Sequence, residues 1–110
     1  MANAYKILGQ ANLVAETPTN VYTVPASTET VISTIIVANL AAAANTFRIS
    51  LRPDGASQAD QHYIAYDVPI AANDSTTLTL GITLNAADVV TCYGGASSDI
   101  SVNIFGTEIS

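Results

Sequence analysis

Residues 46–52 read Thr46-Phe47-Arg48-Ile49-Ser50-Leu51-Arg52, and residues 76–84 read Thr76-Thr77-Leu78-Thr79-Leu80-Gly81-Ile82-Thr83-Leu84. In each, every second residue is large and apolar, while those between are Thr, Ser, Gly or Arg. Because successive side chains of a strand point to opposite faces, this alternation predicts two half-buried strands. One turns Phe47, Ile49 and Leu51 inward, and the other does so with Leu78, Leu80, Ile82 and Leu84. Ile100 to Ile104 repeats the pattern around Val102.

Further strands are expected near Tyr5 to Gln10, Val21 to Val24, Thr30 to Ala38, His62 to Val68 and Asp88 to Tyr93, separated by turn-forming clusters such as Thr17-Pro18-Thr19-Asn20, Pro53-Asp54-Gly55, Asn73-Asp74-Ser75 and Gly94-Gly95. About eight short strands at this spacing imply an all-β fold, an antiparallel β-sandwich of jelly-roll or Ig-like type. Thr30 to Ala38 is apolar on both faces, as in a central strand or one engaged by another subunit. Ala41 to Ala44 is too short to nucleate a helix and is expected to be a loop. Tyr22-Thr23-Val24-Pro25 and Tyr66-Asp67-Val68-Pro69 echo each other, and each is expected to end a strand at its proline.

The chain of 110 residues is read as one domain, 1–110, with residues 1–19 either an N-terminal arm or the first strand. Only 11% of the residues are charged, against about 25% in ordinary soluble domains. Thr, Ser, Asn and Ala must therefore cover the outside, a composition suited to stable assembly. The net charge is −6, and Lys6, Arg48 and Arg52 are the only cations besides the chain terminus. Nucleic acid and anionic membranes are thus not expected partners. Thr30 to Phe47 carries no charge, but its β-branched front half and Asn39 argue for strand and loop over a spanning helix. Met1 to Leu8 shows no secretory pattern.

The residues required by common catalytic chemistries are scarce. His62 is the sole histidine, so a multi-histidine zinc site or a histidine-activated nucleophile lacks parts. Cys92 alternates with Val90 as a buried residue would. The aspartates fall singly in turns, without calcium-loop spacing. No catalytic, cofactor-binding or metal-ligating residue is assigned, no cofactor is expected, and the chain is not expected to be an enzyme. Tyr63, Tyr66 and Tyr93 offer aromatic faces for a sugar, but alternation places Tyr63 and Tyr66 on opposite faces.

Taken in order, Tyr5-Lys6-Ile7-Leu8-Gly9-Gln10, Tyr22-Thr23-Val24-Pro25-Ala26, Val31 to Asn39, Thr46 to Pro53, His62 to Pro69 and Leu78 to Leu84 resemble small virion proteins of tailed bacteriophages, including phages of cyanobacteria. That resemblance covers nearly the whole chain. It implies a structural component of the particle, and the acidic charge favours an external position: a capsid cement or decoration protein on the outer shell, bound to the major capsid protein and to itself as a homotrimer. Tyr5, Ile7 and Leu8 of the early segment and Ile32 and Ile36 of the apolar run are the expected interface residues. A tail, neck or fibre-base component is the alternative within the particle. A carbohydrate-binding sandwich is the alternative outside it.

Overall fold

A computed structural model describes residues 2–110, leaving Met1 outside the described residues. Strand makes up 61% of the chain, and there is no α-helix among the described residues. Nine strands follow in order: β1 (Asn3–Leu13), β2 (Thr19–Thr23), β3 (Glu29–Asn39), β4 (Asn45–Arg52), β5 (Tyr63–Ile70), β6 (Ser75–Leu78), β7 (Ile82–Leu84), β8 (Val89–Gly94) and β9 (Ile100–Ile109). Single 3-10 turns at Pro53–Gly55 and Asp60–His62 lie between β4 and β5.

The strands form two antiparallel sheets. Sheet A runs β1-β9-β3-β6, with β7 also on β3, and sheet B runs β2-β8-β4-β5. Pairing steps inward from the termini: Leu13 faces Ile100, Thr19 faces Cys92, Val37 faces Thr76, and Asn45 faces Ile70. The chain is therefore one long hairpin, folded back at residues 53–62 and wrapped so that its pairs alternate between sheets. That is the jelly roll of the two sandwich types expected, with its sixth position shared by β6 and β7.

Between the sheets lie Leu13, Val24, Ile32, Ile35, Val37, Phe47, Ile49, Val90, Cys92, Ile100, Val102 and Ile104, each at most 2% exposed. Leu51, Leu78 and Ile82 pack partly buried against them. Leu80 departs from its expected core position and is 54% exposed. Residues 79–81 leave the ladder between β6 and β7, with Gly81 at a left-handed φ of 62°. The break matches irregularities next door: β3 carries an extra residue at Ser33, and β1 one at Leu8. The β3 bulge lies opposite Phe105 and Gly106 of β9, and the β1 bulge opposite Ile104 and Phe105. A Cβ on Gly106 would collide with the Val31 carbonyl and crowd Leu8, so only glycine fits at this crease.

The crease also resolves the apolar run of β3. One inserted residue reverses the alternation. Thr30 and Ile32 point inward before it, and Ile35, Val37 and Asn39 after it. The four-alanine stretch is an irregular loop, as expected, held by Asn39. That buried side chain donates to the Ala43 carbonyl at 2.8 Å and accepts from the Ala41 amide at 3.1 Å. The proline echo does not hold at its second copy: β5 stays paired past Pro69 to Ile70, which an edge strand tolerates.

Candidate functional site

The early segment is a strand of the fold: β1 pairs with β9 from Asn3 to Leu13 and forms one edge of sheet A. Its Lys6 side chain ion-pairs with Glu108 at 2.6 Å. The other Glu108 oxygen accepts from the Tyr22 hydroxyl at 2.6 Å, and that hydroxyl lies 2.7 Å from Thr30 Oγ1. Glu108 therefore joins β1 and β9 to β2 of the opposite sheet. Hydrogen bonds from Lys6, then Tyr22, hold the Glu108 carboxyl below its ordinary value, whereas burial pushes Tyr22 up to about 12.

With Lys6 and Glu108 turned inward, alternation leaves Tyr5, Ile7, Val31, Ile36 and Phe105 on the outer face of sheet A. Tyr5 is 80% exposed and Ile7 52%. Around them lie Gln10, Asn12, Thr77, Asn103 and Thr107, and Gln10 donates to Asn103 at 2.6 Å. Among the described residues, Glu29, at one end, is the only charged one that the register places on this face. Of the expected interface residues, Tyr5, Ile7 and Ile36 share this face. Leu8 and Ile32 do not. The bulge turns Leu8 toward the core, where it is partly buried, and Ile32 is a core residue at 1% exposure, so neither forms part of the outer surface. Val31 belongs to the face but escapes sequence reading, because the inserted Ser33 breaks the parity that would have placed it, and Phe105 lies one residue past the Ile100 to Ile104 segment that alternation marks.

The outer face of sheet B differs in kind. Arg48 and Tyr93 stand opposite each other on β4 and β8. The Arg48 guanidinium lies between two rings, 4.1 Å from the centroid of Tyr66 and 4.3 Å from that of Tyr93. Asp67 accepts from its Nε at 2.6 Å and from Nη2 at 3.3 Å, which raises the Arg48 pKa further. Tyr63 and Tyr66 are not on opposite faces: extra residues in β5 shift its register twice, and the rings meet edge to face at 4.8 Å.

Arg52 pins the 53–62 loop beside this cluster. It donates to Thr91 Oγ1, the Asn20 side-chain oxygen and the Ala56 carbonyl, at 2.8 to 3.1 Å. Between that loop and the start of β2 opens a cleft of about 280 Å³, with Asn20, Arg48, Arg52, Gln58, Tyr63 and Tyr93 in its lining.

The sole histidine and cysteine occupy structural positions. His62 is buried, and its Nδ1 accepts from the Ala59 amide at 3.1 Å. Cys92 is a buried free thiol that burial pushes up to about 12, far from the thiolate needed for reactivity. Among the described residues no group of three His, Cys, Asp or Glu side chains could hold a metal ion, and no helix is long and apolar enough to cross a membrane.

No protein-family model matches the chain, and no curated protein matches it in sequence.

Proposed function

We propose that the protein is a structural component of a tailed-phage particle, a cement or decoration protein that binds the outer capsid shell as a homotrimer and ties neighbouring major capsid subunits together. The observation that carries this reading is the outer face of sheet A. In a chain with nine acidic residues, a whole sheet face bears a single charge among the described residues and exposes Tyr5, Ile7 and Val31, with Phe105 half-buried among them. Like charges repel at every copy of a repeated contact, so a nearly neutral face suits assembly in many copies. Rigid aromatic and aliphatic side chains supply the contact energy.

The resemblance to small virion proteins and the jelly-roll wrapping agree with this reading, although that architecture serves many functions. Three joined subunits engage three sites of a shell at once, so avidity compensates for a small interface. A tail or neck position would use the same face in few copies. Quantitative mass spectrometry of purified particles decides between them. Hundreds of copies per particle are expected, a handful would move the protein to the tail, and absence from particles would overturn the proposal.

A further inference from the structure

The cleft on the outer face of sheet B is not needed for assembly through sheet A, and its hydrogen-bonding groups are unbalanced. Gln58 Oε1 accepts from Ser50 at 2.7 Å, and the Asn20 side-chain oxygen accepts from Arg52 and Thr91 at 2.9 and 3.0 Å. The side-chain amide oxygens that line it are thus engaged within the fold. Donors are left over: Arg48 Nη1 and Asn20 Nδ2 make no hydrogen bond among the described residues.

Charge is unbalanced in the same sense. Arg48 is paired with Asp67, but Arg52 is held by neutral oxygens and has no carboxylate ion-pair partner among the described residues. A net positive, donor-lined hollow in a protein of charge −6 selects for an acceptor that is itself anionic.

The shape narrows the class. Tyr63 lines this cleft and also a second hollow of about 310 Å³ that it shares with Tyr66 and Asp60. Two adjoining hollows divided by a tyrosine suit consecutive pyranose rings, whose C–H faces pack on aromatic side chains while their hydroxyls and carboxylates take hydrogen bonds. We infer that this surface binds an acidic oligosaccharide, a chain of uronic-acid type, with one carboxylate directed at Arg48 Nη1 and Asn20 Nδ2 and a neighbouring ring against Tyr63. Asp67 competes with that carboxylate for Arg48. This assignment is independent of where the protein sits in a particle.

Amide chemical-shift titration of the full chain at low ionic strength with tri-galacturonate tests it. Shifts are expected at Asn20, Arg48, Thr91 and Tyr93. The methyl-esterified trisaccharide should bind at least roughly tenfold more weakly, the weight of a lost charge-assisted hydrogen bond. Arg48→Gln and Tyr63→Ala should each weaken binding, with the same spectrum reporting that the variant is folded. Asp67→Asn should tighten it, because Asn tolerates the left-handed φ of 50° while the competing charge is gone. That gain cannot come from a damaged fold. The inference is overturned by the absence of shifts at millimolar sugar, by equal affinity for the methyl ester, or by an Asp67→Asn variant that binds no tighter. Equal binding of acetate or of a glutamate-rich peptide would also overturn it, making the cleft a general carboxylate or protein contact.

Discussion

The two outer faces of the sandwich are made from the same kind of strand and diverge in what stands between the core residues. On sheet A the outward positions are Thr, Asn, Gln and a few large apolar residues, with Glu29 alone at the rim. On sheet B they include both arginines, three tyrosines and a cleft. The inward residues are interchangeable in kind, mostly Ile, Val, Leu and Phe, and they specify the wrap of the hairpin. The outward ones carry no information about the fold, and there the two halves of the molecule part company.

The sharpest way to break this contrast is to compare neighbours on β3. Ile35 is fully buried and Ile36 faces outward from sheet A, so Ile35→Ala is expected to cost about 2 to 5 kcal/mol and Ile36→Ser less than about 1 kcal/mol, read from urea midpoints. Equal costs would show that the post-bulge phase of β3 is wrong. Next in size is Arg52. Its removal leaves Thr91 Oγ1 and the Ala56 carbonyl without their Arg52 donor and Asn20 with one donor of two, a loss of about 1.5 to 3 kcal/mol, with faster amide exchange in the 53–62 loop. Arg48→Gln, on the same face, loses an ion pair whose Asp67 partner is 46% exposed and should cost about 1 kcal/mol or less.

Acid should act on sheet A through Glu108. Because the Glu108 carboxyl titrates below its ordinary value of 4.5, the stability it contributes is complete above that pH and is lost as pH falls through its lower folded value. Glu108→Gln should flatten the acid limb of a stability-against-pH profile. At the alkaline end the sign reverses: Tyr22, raised from 10.0 to about 12, loses its contribution as pH rises through that range. The smallest effect is expected at Leu80, whose replacement by Ala should change stability by less than about 0.5 kcal/mol, since the side chain is mostly in solvent.

Period-two alternation located the strands, and in β4 it also placed the core residues Phe47 and Ile49, because that segment faces its partner β8 without a bulge. It failed where a residue is inserted. The break at Gly81 takes Leu80 out of phase, the bulge at Ser33 makes β3 look apolar on both faces and so puts Ile32 among the interface residues, and alternation separates Tyr63 from Tyr66 by a parity that β5 twice abandons. The bulge of β3 is set by cross-strand geometry at Phe105 and Gly106, residues far away in sequence, so a local reading has no access to it. The same holds for the Arg48 sandwich, which exists only because register brings Tyr93 opposite Arg48.

Sedimentation velocity of the isolated chain beside Ile7→Lys and Tyr66→Lys tests most directly whether sheet A is the assembly face. Both positions are more than half exposed, so both variants should stay folded. Wild type and Tyr66→Lys are expected to sediment as trimers and Ile7→Lys as a monomer. A monomeric wild type, or a trimer that survives Ile7→Lys and dissociates with Tyr66→Lys, would contradict the account.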